Sequence, residues 1–89
     1  MNSQALPQFW KLYKQLPRDI RQRTVKAYRI WLEHPHSPGL QFKLVGKRRP
    51  VYSVRITDSY RALGLLEQNT IFWFWIGSHD EYERLIKSI

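Results

Sequence analysis

The sequence predicts an α+β domain: an N-terminal helical hairpin on one face of a three- to four-stranded antiparallel sheet, with a short C-terminal helix. Three observations predict it. Apolar residues recur at three- and four-residue spacing as far as about residue 33, the period changes to two from Leu40, and Ile71 to Ile76 is apolar on both faces. A strand with no polar side chain on either face belongs inside a sheet, because only there are both sides covered. The chain of 89 residues is long enough for one domain, 1–89, and 43% hydrophobic residues can build its core.

Taken in order, Pro7 to Leu16 reads as a helix, with Phe9, Leu12, Tyr13 and Leu16 on one face. Pro17 interrupts it and is well placed to open the next helix, where Asp19 complements the dipole. That second helix runs to about Glu33 with a stripe of Ile20, Thr24, Tyr28 and Trp31, flanked by Val25 and Leu32. His34-Pro35-His36-Ser37-Pro38-Gly39 ends it. Leu40, Phe42 and Leu44 then alternate with polar neighbours as a strand, and 46–50 is a basic turn. Tyr52, Val54 and Ile56 face one way, with Ser53, Arg55 and Thr57 facing the other. Asp58-Ser59 turns into a strand from Tyr60 to Glu67, and Gln68-Asn69 turns into the apolar strand. Simple alternation puts Trp73 and Trp75 on one face, with Phe72 and Phe74 on the other. Asp80 to Ile89 is the last helix, its stripe Tyr82, Leu85, Ile86 and Ile89. No pattern supports a strand over residues 2–6.

Lys and Arg number 15 against 7 Asp and Glu, a net charge of +8. Such an excess repels itself unless a polyanion or acidic protein neutralises it, and a nucleic-acid-related partner fits best. Cysteine is absent, which excludes disulfides and thiolate metal sites. The N-terminus lacks a signal-peptide pattern, and the longest apolar run is far shorter than the roughly 20 residues of a membrane span. A cytoplasmic domain is expected.

Few residues here carry chemistry. His79 directly follows the apolar strand, either as a hydrogen-bonded turn residue or as a proton-transfer group. His34 and His36 lie in a distant loop, so no zinc site forms at a fitting spacing, and Ser53, Ser59 and Ser78 lack a nucleophile-elbow context. Arg55 and Arg61 read either as sheet-surface arginines, paired with Asp58 or Glu67, or as a phosphate clamp, because a guanidinium fork matches phosphate geometry. With Lys43, Lys47, Arg48 and Arg49 they make six cations facing a single acid, Asp58. Tyr52, Tyr60, Phe72, Trp73 and Tyr82 are candidate stacking groups for a base, although strand aromatics more often belong to the core.

The order of helical hairpin, basic turn, Tyr52-Ser53-Val54-Arg55, Tyr60-Arg61-Ala62-Leu63, apolar strand and Gly77-Ser78-His79-Asp80-Glu81-Tyr82 resembles the RelE/ParE superfamily. These are toxins of bacterial type II toxin–antitoxin pairs. The resemblance covers nearly the whole chain, with the family's first strand reduced to a few residues. It implies one of two activities. RelE-like members cut messenger RNA on the ribosome without a metal or other cofactor; ParE-like members poison DNA gyrase without nuclease chemistry. In the first case the resemblance implies that Arg61 stabilises the phosphate. Lys43, Lys47, Arg48, Arg49 and Arg55 would hold RNA. His79 and Tyr82 would assist proton transfer, with Asp80 or Glu81 as base or orienter. An acidic antitoxin is the implied partner, with messenger RNA on the ribosome, or gyrase, as the target. RNA cleavage is the expectation, and gyrase inhibition or a non-toxic binding relative the alternatives.

Overall fold

A computed structural model describes residues 1–89. The elements are β1 (Asn2–Ala5), α1 (Pro7–Lys14), α2 (Arg18–Glu33), β2 (Lys43–Leu44), β3 (Val51–Thr57), β4 (Tyr60–Glu67), β5 (Thr70–Ser78) and α3 (His79–Ile86), with a 3-10 turn at Pro38–Leu40. The sheet has five strands in the order β1-β5-β4-β3-β2. This corrects the expected three or four antiparallel strands. The added strand β1 runs parallel to β5, from Asn2 opposite Thr70 to Ala5 opposite Trp73. Four mostly polar residues carry no periodic signal. They become a strand because β5 offers them a ladder, closed by Asn2 N–H to Asn69 O and Leu6 N–H to Trp73 O, both 2.9 Å.

Both helices pack on one face of the sheet. Phe9, Leu16, Ala27 and Trp31 meet Val54, Ile56, Ala62, Ile71, Trp73 and Ile76 in one core. The buried stripe of α2 is Thr24, Ala27 and Trp31, with Ile20 beside it. Val25, Tyr28 and Leu32, expected on or beside that stripe, stay exposed. The small Ala27 lets the helix lie close to the sheet and rotates the larger side chains outward. Pro38 and Gly39 carry the turn to Leu40, and Gln41 adopts a left-handed φ of 47°. That conformation interrupts the expected Leu40–Val45 strand and leaves only Lys43–Leu44 paired with β3. Gln68 and Asn69 both have positive φ, 48° and 66°, as a two-residue hairpin turn requires.

The far face of the sheet holds a second core of Val51, Leu63, Trp75 and Tyr82, supported by Leu85, Ile86 and Ile89. Trp73 therefore lies under the helical hairpin and Trp75 under α3, which corrects the expected shared face. The cause is a β-bulge: Leu63 opposes Trp75 while the next residue, Gly64, opposes Trp73, leaving Phe74 as the extra residue. One inserted residue turns the remainder of the strand over. Gly64 is required at this step, since a Cβ there would stand 2.5 Å from Ile71 Cγ2 and 2.8 Å from Trp73 Cε3.

Candidate active site and basic surface

The β3–β4 hairpin end and the start of α3 form one rim. Register places Arg61 opposite Arg55 on one side and Gly77 on the other, with Tyr60 opposite Ser78. The His79 N–H donates to Ser59 O at 2.8 Å, stitching the turn to the helix. Arg61 and His79, separated by a whole strand pair in sequence, thus meet at one corner of the sheet.

Two arginines side by side across a ladder repel, and their heads diverge. Arg55 Nη2 lies 2.6 Å from Asp58 Oδ1, and Nη1 donates to Gly39 O at 3.3 Å. Its hydrogen bond and charge hold the Asp58 carboxyl below its ordinary range, with Arg61 and Arg23 adding to the effect. Arg61 turns the other way. Its Nη1 donates to Thr57 O at 2.6 Å and Tyr60 O at 3.0 Å, and stands 3.4 Å from Asp58 O. Nη2 and Nε make no hydrogen bond within the protein, so half the fork is staple and half is open. The guanidinium carbon lies 5.9 Å from the centroid of the Tyr82 ring, within range of a cation–π contact.

Tyr82 is the floor of this corner. It is 4% exposed, and its hydroxyl donates to Ser53 Oγ at 3.2 Å on the buried side of α3. The His79 ring packs beside it, centroids 5.7 Å apart, and His79 Nε2 lies 3.3 Å from Glu83 Oε1 one helical turn on. Glu81 is engaged elsewhere: Ser78 Oγ caps α3 by accepting the Glu81 N–H at 3.3 Å and donates to Glu81 Oε1 at 3.1 Å. Asp80 is exposed. The carboxylate beside His79 is thus Glu83, which sequence reasoning missed, although the four-residue helical spacing from His79 is a readable signal.

The remaining cations divide into two groups. Lys43 is directly opposite Ser53, whose hydroxyl meets Tyr82, so it shares the face of Arg61 at roughly 12 Å, two strand spacings across and two residues along. Lys47, Arg48 and Arg49 lie past the other end of α3, and the N–H groups of Lys47 and Arg48 hold the carbonyl of Ile89. Arg48 and Arg49 border a cavity of about 540 Å³ floored by Val51, Leu65, Phe72 and Phe74. None of these four cations pairs with a carboxylate; the one arginine or lysine ion pair is Arg55–Asp58. Among the candidate stacking groups, Trp73 is buried beneath the hairpin, Tyr52 and Tyr60 pack against the same core, and Phe72 is half exposed on the opposite face.

A family model described as a ParE-like toxin domain matches residues 18–84. No curated protein matches the chain. Among solved structures, the fold is similar to the RelB–RelE antitoxin–toxin complex of Methanococcus jannaschii, at a TM-score of 0.71 and 18% identity over 91% of this chain and 95% of that one. It is similar to the RelE–RelB complex of Pyrococcus horikoshii at a TM-score of 0.67, with 18% identity over 86% and 92%. The isolated E. coli RelE toxin aligns at 0.63, with 18% identity over 97% and 95%. With a family model matched from the second helix to the last, on a fold similar to these RelE structures, the chain belongs to the ParE-like toxin domain family.

Proposed function

We propose that this toxin is a metal-independent endoribonuclease that cuts messenger RNA on the ribosome in the cytoplasm, restrained by an acidic antitoxin. The observation that carries the reading is the corner where the open half of the Arg61 guanidinium and the His79 imidazole flank Tyr82. The reaction is attack of an RNA 2′-oxygen on the adjacent phosphorus. The bond from phosphorus to the 5′-oxygen breaks, leaving a 2′,3′-cyclic phosphate and a free 5′-hydroxyl. One proton leaves the 2′-hydroxyl and one reaches the departing 5′-oxygen. Arg61 Nη2 and Nε face the charge that grows on the phosphoryl oxygens, commonly the largest catalytic contribution. His79 carries a proton, and Glu83 holds its ring. Tyr82 enters as the surface on which both rest, with its hydroxyl given to Ser53; Glu81 enters through the helix cap. Lys43, on the same face, and the unpaired Lys47, Arg48 and Arg49 hold the RNA backbone, while Arg55 braces the corner through Asp58. Charge of +8 and the antitoxin-bound state of two structural relatives support an acidic protein partner.

The second reading, a gyrase-inhibiting binder, is favoured by the ParE-like character of the matching family model. There the staple half of Arg61 is its whole role. Mapping the 5′ ends of messages after brief induction separates the two. The nuclease reading expects new 5′ ends within translated regions, and His79→Gln, which cannot exchange a proton near neutrality, cuts roughly 10²–10⁴-fold more slowly. Intact messages with early arrest of DNA synthesis would establish the gyrase reading instead.

A further inference from the structure

A small cavity, of about 180 Å³, lies between α2, the Pro38–Leu40 turn and β3, at the edge that β3 presents beyond its two-residue pairing with β2. We infer that it is a phosphate site separate from the Arg61 corner, holding one backbone phosphate of a bound RNA strand. Arg23 and Lys26 from α2 and Arg55 from β3 line it together with Ser37, and no acidic residue does. Its floor is apolar and buried, formed by Ala27, Leu40 and Ile56. Cations gathered over a wall of low dielectric concentrate their field and draw in an anion.

Size and donors select the ligand. The volume is below the roughly 300 Å³ at which sites for whole small molecules begin, so the cavity takes one group of a longer chain. Donors from three separate elements suit the several oxygens of a phosphate better than the two of a carboxylate. They are also open. Arg23 and Lys26 pair with no carboxylate. Asp58, whose carboxyl feels both Arg55 and Arg23, is taken by Arg55. Arg55 spends two of its N–H groups, on Asp58 Oδ1 and Gly39 O, which fixes its head at the rim and leaves three of the five guanidinium donors free. Arg55 is directly opposite Arg61 in the register, one strand spacing of roughly 5 Å away, so a strand of RNA crossing the rim passes both. Holding RNA here is a separate property from cutting it, and it stands apart from the chemistry of the Arg61 corner.

The test uses a fluorescent dodecamer of 2′-O-methyl uridine, which binds but cannot be cut because its 2′-oxygen is blocked, titrated into the full chain over a range of salt. Arg23→Gln combined with Lys26→Gln is expected to weaken binding roughly tenfold. It should also lower the magnitude of the slope of log K against log salt by about 0.7, the share of one phosphate. Arg18→Gln combined with Arg29→Gln removes the same charge from the same helix outside the cavity, and should leave that slope in place. Gly39→Asp introduces a carboxylate where a Cβ meets no atom within 4 Å. It should weaken binding as the Arg23 and Lys26 pair does, while the uncharged Gly39→Asn should not; circular dichroism checks that each variant is folded. Equal losses from the two pairs of substitutions would overturn the inference, because the field of the whole helix would then be the cause. So would displacement of the RNA by inorganic phosphate at matched ionic strength, which would make this a site for the free ion. A glutamate dodecapeptide that binds the parent and loses as much as the RNA in the Arg23 and Lys26 variant would overturn it too, by assigning the surface to an acidic protein.

Discussion

Arg61 does two jobs with one side chain, and they can be separated. Nη1 staples the β3–β4 turn through backbone carbonyls, while Nη2 and Nε stay open. Arg61→Ala loses both. Cleavage should fall about 10²–10³-fold through the lost phosphate contact, and stability should drop by about 1.5–3 kcal/mol, the range for hydrogen bonds from a charged donor. Arg61→Lys can restore a single point contact to the carbonyls but not the fork. It should therefore recover much of the urea midpoint and little of the cleavage rate. Full cleavage by a folded Arg61→Ala protein would remove Arg61 from the chemistry. Asp58 offers a test of the neighbouring geometry. Its carboxyl is held below the ordinary value of 3.8 by Arg55. A depressed folded pKa contributes stability that is present above the unfolded value and fades as pH falls through the folded one. By NMR titration Asp58 should ionise below 3.8 in the parent and at a higher pH in Arg55→Gln. An unchanged midpoint in the variant would mean the pair is not formed in solution.

At the scale of elements, α3 is the part most exposed to small changes. It has two turns, too few to persist without packing, and it carries His79, Tyr82 and Glu83. Its start is fixed by the Ser78–Glu81 cap and by the His79 N–H bond to Ser59. Ser78→Ala should cost about 0.5–2 kcal/mol by loss of the cap. It should also raise amide exchange across 79–82 before it affects the helical hairpin. Gly64→Ala acts on the sheet instead. Its new methyl must displace Ile71 and Trp73, so a loss of about 1–3 kcal/mol is expected from overpacking. Denaturant melts of the two variants check both figures, and a neutral Gly64→Ala would mean that the bulge relaxes without cost.

Across the whole molecule, the unpaired cations of the sheet and its basic turn, Lys43, Lys47, Arg48 and Arg49, lie on and beyond the face covered by α3. Short single-stranded RNA that engages Lys43, Lys47, Arg48 and Arg49 should bind with a slope of log K against log salt of about −3, four contacts at roughly −0.7 each. Replacing Arg48 and Arg49 together by alanine should reduce the magnitude of that slope by about 1.4 without changing the fold. A slope unaltered by the double substitution would place the RNA elsewhere. Reversal of the field by an acidic partner should compete with RNA, and more weakly as salt rises.

Much of this protein is written locally, and local spacing is what a sequence states best. The helical hairpin, the turn at Gln68-Asn69, the buried β5 and the cation excess all follow from periods, turn residues and counts within one segment. The cap of α3 and the His79–Glu83 contact also have local signals, a three-residue and a four-residue spacing on a helix, but they went unread. What crosses between elements has no such signal. β1 exists only because β5 offers it a parallel ladder. Trp73 and Trp75 part company because one residue of β5 has no counterpart on β4, and a period-two reading has no means of knowing the register of the neighbour. The same holds at the corner: the hydroxyl of Tyr82 is buried by Ser53, Arg55 is taken by Asp58 and Gly39, and half of Arg61 is bound to its own turn. Sequence supplied the residue types, but which nitrogen of which arginine remains open is decided by how the strands align, since hydrogen-bond partners are chosen by distance in the folded chain and not by position along it.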